Sequence, residues 1–174
     1  MLTESERFDR CLAQILHHEG GEADHPKDPG GATMKGVTLA VFRTFKGNPN
    51  ASKAELRAIS DADLGAIYHR NYWLAASCDK LPAGVDLMTF DLAVNSGPAR
   101  ARRYLQEAVG AEPDGQIGPL TLARVMALPP AELVTRISAR RDKFFRSLPT
   151  FATFGKGWMR RLKEVTTKSL EWAK

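Results

Sequence analysis

The chain opens on a helical repeat that a carboxylate interrupts. Phe8, Cys11, Leu12, Ile15 and Leu16 fall at i, i+3, i+4, i+7 and i+8, the spacing of one helix face, and Glu19 is the next position on that face. Thr3-x-x-Glu6 is a capping box ahead of it, so the pattern predicts a first helix running to about His18. Gly20 and Gly21 then stop the helix, which leaves the Glu19 carboxyl at the lip of the core beside the negative end of the helix dipole. Partial burial and the dipole both favour the protonated form, and so both suit Glu19 to proton donation.

From Gly20 to Gly36 the chain is dense in Gly, Pro and Asp, which predicts a loop with at most a short hairpin. Helical spacing returns over about Leu39 to Lys46, closed by Gly47, and again from Ser60-x-x-Asp63, with Leu64, Ile67, Tyr68 and Tyr72 on one face. The segment GVDLMTFDLAVNSG is apolar on nearly every side and reads as a buried central helix ending at Asn95 to Gly97. Pro98 opens the next helix, with Ala101, Tyr104, Leu105 and Ala108 facing inward, and Gly110 to Gly118 is loop. Pro119 starts a short helix that Pro129 and Pro130 break. The stretch from Ala131 to Leu148 carries Leu133, Ile137, Phe144 and Phe145, and the last helix carries Trp158, Leu162, Val165, Ser169 and Trp172 on one stripe. The expected fold is all-α: one compact helical domain with a loop or short hairpin inserted after the first helix.

At 174 residues and 43% hydrophobic content the chain fills one core and is short for two. No apolar run reaches the roughly 18 to 20 residues of a membrane span, and the N-terminus alternates charge with apolar residues where a signal peptide would be continuously apolar. The expectation is a monomer without stable membrane insertion, made in the cytoplasm without a Sec address. A net charge of +5 and a pI near 9.4 favour a polyanionic partner. Nucleic acid is not the expected one, because no helix-turn-helix or other binding motif accompanies the charge. Arg100, Arg102, Arg103, Arg140, Arg141, Arg160 and Arg161 carry much of it and read as solvated helix faces, some of them meeting an anionic wall. Cys11 and Cys78 read as free thiols rather than a bridge or a metal site.

Two chemistries compete for the segment from His17 to Asp28. His18-Glu19-Gly20-Gly21-Glu22 echoes the H-E-x-x-H motif of zinc peptidases, but the glycines break the turn that must align two ligands and Glu22 replaces the second histidine. His17, His18 and His25 are therefore read as solvated or hydrogen-bonded, and no metal or other cofactor is expected. Glycoside hydrolysis fits better, since it needs a protonated carboxyl on one side of the scissile bond and a polar group on the other to hold water. Asp28, nine residues on in DPGG, and Thr33, fourteen residues on, offer such groups. On its own residues, Asp28 reads first as a turn residue that caps its own loop and only second as a catalytic group.

These residues carry a resemblance. His18-Glu19-Gly20-Gly21 followed by Asp28-Pro29-Gly30-Gly31-x-Thr33-x-x-Gly36-Val37-Thr38 resembles the bacterial and phage lysozymes of glycoside hydrolase family 108, as do Tyr72-Trp73, Leu81-Pro82, Phe90-Asp91-x-Ala93-Val94-Asn95-Ser96-Gly97 and Asp114-Gly115-x-Ile117-Gly118-Pro119-x-Thr121. The similarity spans about residues 8 to 128, and the C-terminal half is similar to a small peptidoglycan-binding region. It implies a lysozyme-like fold with a catalytic region over 1–95 and a peptidoglycan-binding-like region over 96–174, packed into one domain. It also implies N-acetylmuramidase activity on bacterial peptidoglycan, with Glu19 as the catalytic acid and Asp28 and Thr33 positioning the attacking water. The protein would then act in the periplasm or cell wall after holin-type or other non-Sec export.

This chain departs from the pattern in three places: Glu22 stands where an aromatic often follows EGG, Met34-Lys35 where an Asn or Tyr is frequent, and Thr33 comes one residue early. Tyr72 and Trp73 are candidates for stacking on sugar rings or for the core, and Asn95 for a substrate hydrogen bond or a helix cap. Asp91, one turn before Asn95, reads as a buried structural hydrogen-bonding group. A non-catalytic peptidoglycan-binding or secretion-accessory protein on the same fold is the alternative function.

Overall fold

Caps and apolar spacing account for most of the elements that form. The computed structural model describes residues 2–19, 22–23 and 33–174. Helix α1 spans Glu4–His18 behind a complete Thr3–Glu6 capping box, and Glu19 leaves the helix in extended backbone, its N–H still donating to the Ile15 carbonyl at 3.2 Å. Three two-residue strands follow, β1 (Glu22–Ala23), β2 (Thr33–Met34) and β3 (Val37–Thr38), antiparallel in the order β1-β2-β3. Met34 pairs with Val37, so Lys35 and Gly36 alone make the turn, with φ of 46° and 78°. Positive φ at both positions is the type I′ pattern, whose twist matches that of the strands. This is the short hairpin expected after the first helix.

Thr38 caps α2 (Leu39–Lys46), which Gly47 ends in the left-handed region. A second capping box, Ser52–Glu55, nucleates α3 (Lys53–Arg57), a helix too short for apolar periodicity to reveal. Helix α4 (Asp61–Tyr68) starts at the Ser60 cap and runs on as a π-helical segment, His69–Leu74. That wider turn corrects the single α-helical face expected through Tyr72. At i, i+5 spacing Trp73, not Tyr72, aligns with Tyr68; both are fully buried and Tyr72 is left half-buried.

A 3₁₀ turn, Cys78–Lys80, leads to α5 (Val85–Ser96), in which every residue from Val85 to Ala93 is buried. Each large apolar side chain there contributes on the order of 1.5–3 kcal/mol by leaving water. The remaining helices are α6 (Pro98–Ala108), α7 (Pro119–Met126), α8 (Pro130–Ser147) and α9 (Phe151–Trp172), the first three opened by a proline whose missing N–H has no helical partner to lose. Helices α8 and α9 pack on each other and on α5. Gly84, at φ 82°, permits that approach: a Cβ there would overlap the Ser169 carbonyl of α9. On the other side, Arg7 of α1 donates to Asp86 of α5 (2.7 Å) and to the carbonyls of Asp79 and Leu81. The all-α architecture thus forms, with nine α-helices and one small sheet among the described residues. Cys11 and Cys78 are both buried and free, and burial pushes their thiols up from the usual range.

Candidate active site

The end of α1 sets Glu19 against α9 on one side and the turn between β2 and β3 on the other. Its side chain is 19% exposed, and Oε1 accepts a hydrogen bond from Arg161 Nη1 of α9 at 2.8 Å. Arg161 Nε in turn donates to Asp91 Oδ1 of α5 at 2.9 Å, and Asp91 Oδ2 accepts from Arg141 Nη2 of α8 at 2.6 Å. Asp91 and Arg141 are fully buried. Burial alone would raise the Asp91 carboxyl, but the guanidiniums of Arg141 and Arg161 outweigh it and hold it below the usual carboxylate range. Burial likewise works against the Arg161 charge, and the carboxylates of Asp91 and Glu19 overcome it, raising that group. The result is an alternating chain, Glu19–Arg161–Asp91–Arg141, whose charges sum to zero when all four are ionised.

The hairpin closes the other side. A Cβ on Gly36 would lie 3.0 Å from Glu19 Oε2 and would overlap the Tyr68 hydroxyl, so only glycine lets the turn sit this close. The Tyr68 hydroxyl donates to the Lys35 carbonyl at 2.8 Å, tying the turn to α4. Lys35 itself reaches Asp61 at 3.2 Å, so the Met34-Lys35 departure falls at a turn held by α4. Tyr72 packs on Tyr68 with ring centroids 5.4 Å apart, and burial, followed by the nearby Glu19 carboxylate, pushes its phenol up.

Of the residues singled out in the sequence, Tyr72 is therefore brought within electrostatic reach of Glu19. Thr33 stands in β2, paired with Ala23 and Thr38 two positions before the Lys35–Gly36 turn. Asp28 lies outside the described residues, as does His25. Trp73 is corrected from sugar-stacking candidate to core residue: it is fully enclosed, edge-on to Phe8 and Phe90, and its indole N–H donates to Glu4 at 2.6 Å. Asn95 does not cap α5, since the helix continues to Ser96 and Gly97 caps it; Asn95 is exposed, accepts from Ser96 Oγ at 2.9 Å, and lies one turn beyond Asp91 on the same face. Asp91 is the buried hydrogen-bonding group expected, though its partners are charged. In the Gly110 to Gly118 loop, Asp114 accepts from Gln106 Nε2 and the Gln116 N–H, both at 2.7 Å, a structural use of that motif.

Arg141 and Arg161 were expected among solvated charges, and the structure corrects this. A signal for both existed. Arg141 stands between Ile137 and Phe145 at i+4 and i+8, inside an apolar stripe, and Arg161 stands three residues after Trp158 and four before Val165 on another. Each is a charged residue in an apolar position, the same anomaly that marks Glu19.

A groove of about 610 Å³ between α1 and α9 is lined by His17, His18, Arg160, Lys163 and Glu164, but not by Glu19. Convergent charged groups locate chemistry better than the volume of an open groove does, so the charge chain marks the site. His18 lies 3.6 Å from Glu164, and burial, then the Arg161 charge, lowers it. Among the described residues no group of His, Cys, Asp or Glu is arranged to hold a metal ion, and no helix is long and apolar enough to cross a membrane.

A family model described as Glycosyl hydrolase 108 matches residues 12–97, and one described as Predicted Peptidoglycan domain matches residues 100–163. Among solved structures, SagA from Brucella abortus is 42% identical with a TM-score of 0.85, the match covering 96% of this chain and 95% of that one. No curated protein matches the chain.

Proposed function

The chain belongs to the glycosyl hydrolase 108 family, and we propose that its reaction is hydrolysis of the β-1,4 bond between N-acetylmuramic acid and N-acetylglucosamine. The coarser function comes with membership: a glycosyl hydrolase of lysozyme-like, all-α fold that acts on peptidoglycan. In the proposed reaction Glu19 protonates the glycosidic oxygen as the bond to the anomeric carbon breaks. Water held by Asp28 and Thr33 adds to that carbon, and attack from the opposite face would invert it. Tyr72 and Asn95 contact the sugars. The observation that carries this reading is the Glu19 carboxyl itself, part-exposed at a helix end with a hairpin turn fitted against Oε2.

The division into a catalytic region over 1–95 and a peptidoglycan-binding-like region over 96–174 belongs to the same proposal, and the two family matches, meeting between 97 and 100, support it. Action at the cell wall as a monomer belongs to the same proposal. A Glu19→Gln variant tests the assignment. It should fold as the wild type does, bind peptidoglycan, and release no reducing ends from it, while mass spectrometry of wild-type products should find muramic-acid reducing ends. Full lytic activity in the variant refutes the role of Glu19, and glucosamine reducing ends refute the bond.

A further inference from the structure

Arg161 reaches Glu19 across 142 positions of sequence and engages only one of its two oxygens. A guanidinium only donates, and in a protonated carboxyl the carbonyl oxygen is the better acceptor, so the bond from Nη1 favours Oε1 as the carbonyl oxygen. The proton is then favoured on Oε2, the oxygen turned toward the Gly36 hairpin. We infer that Arg161 is the positioning residue of the catalytic acid: it holds Oε1 and thereby assigns Oε2 as the oxygen that delivers the proton. This rests on the muramidase reading above and specifies how its acid is oriented.

Three observations support the assignment. Arg161 is not free to swing, because its Nε is held by Asp91, which is itself held from behind by the fully buried Arg141. A planar fork can grip Glu19 and Asp91 at once; a lysine ammonium, a single point of charge, cannot reproduce both directed bonds. The charge balance also points the same way. When Oε2 gives its proton to the glycosidic oxygen, the bond's electron pair goes to that oxygen and Glu19 is left an anion 2.8 Å from Arg161. The state reached by proton transfer is thus the state in which the four-residue chain is neutral, so Arg161 favours the transfer itself.

The C-terminal helix is then part of the catalytic centre, not only of a wall-binding region: Glu19 lies in the span matched to the hydrolase family and Arg161 in the span matched to the peptidoglycan domain. The test is kcat and KM for reducing-sugar release from purified peptidoglycan by Arg161→Gln and Arg161→Lys, each checked for folding by circular dichroism. Arg161→Gln should lower kcat about 10²-fold with KM little changed. Arg161→Lys keeps the charge but not the second directed bond, so its kcat should fall too, again with KM little changed. If Gln destabilises the fold, the Lys variant still decides, through kcat. Folded variants with the wild-type kcat overturn the inference while leaving the Glu19 assignment intact, provided Glu19→Gln is inactive. An active Glu19→Gln variant overturns both.

Discussion

Replacing Gly36 by alanine measures how closely the hairpin is fitted over Glu19. Gly36 is the second residue of a type I′ turn at φ 78°, a conformation that costs an L residue about 1–2 kcal/mol. The added Cβ would also overlap the Tyr68 hydroxyl and approach Glu19 Oε2 to 3.0 Å. Tyr68 cannot retreat without giving up its 2.8 Å bond to the Lys35 carbonyl, worth about 1 kcal/mol. Overpacking of this kind adds roughly 1–3 kcal/mol, so Gly36→Ala should destabilise by about 2–5 kcal/mol, less a few tenths for the stiffer unfolded chain. Tyr68→Phe alone should cost about 1 kcal/mol. Because the phenylalanine removes the atom that the new methyl meets, the two changes should not add, and the double variant should be more stable than their sum by about 1 kcal/mol or more. Urea unfolding at constant m-value reads all four corners of the cycle. Activity should stay low in the double variant, down about 10²-fold, since the methyl still crowds Oε2. Additivity within about 0.5 kcal/mol, or a Gly36→Ala protein of wild-type stability, would show that the turn is not pressed against the site.

The buried end of the charge chain makes a second expectation. Asp91 is held below the usual carboxylate range, so its contribution to stability is fully present above the unfolded value near about 3.9 and is lost as pH falls through the folded one. Asp91→Asn should lower the urea midpoint at neutral pH by the equivalent of about 3–5 kcal/mol, since it strands Arg141, and should flatten the fall of stability below about pH 4; an unchanged acid profile would refute the assignment. Thr33→Val, which removes the hydroxyl and keeps the shape, should lower kcat about 10²-fold with KM nearly unchanged, and wild-type turnover would remove Thr33 from the proposed water site.

Local chemistry carried much of this architecture. The capping box at Thr3, the Ser60 cap, and the prolines at 98 and 119 each start a helix by supplying or excusing a hydrogen bond within a few residues, so they can be read along the chain; the Ser52 box and Pro130 start helices in the same way, but the expected pattern had no helix at Ser52 and took Pro130 as a breaker. The buried α5 was equally plain, because a segment apolar on every side has nowhere else to go. At Tyr72 and Trp73 a backbone change of register intervened. The π turn after Tyr68 exchanged the places of Tyr72 and Trp73, and no side-chain pattern announces that extra residue per turn.

By itself the sequence determined that Glu19 is a carboxylate on an apolar face at a helix end, since periodicity and a glycine pair are properties of neighbouring residues. It also determined the kind of fold, through the same local signals. The environment of that carboxylate was decided only in three dimensions. Glu19 and Asp91 lie 142 and 70 positions from Arg161, and the ion pairs among Glu19, Arg161, Asp91 and Arg141 exist only because α8 and α9 pack on α5. Periodicity can say that a charge is out of place on a helix face; which opposite charge compensates it depends on packing between helices, and that is a property of the fold.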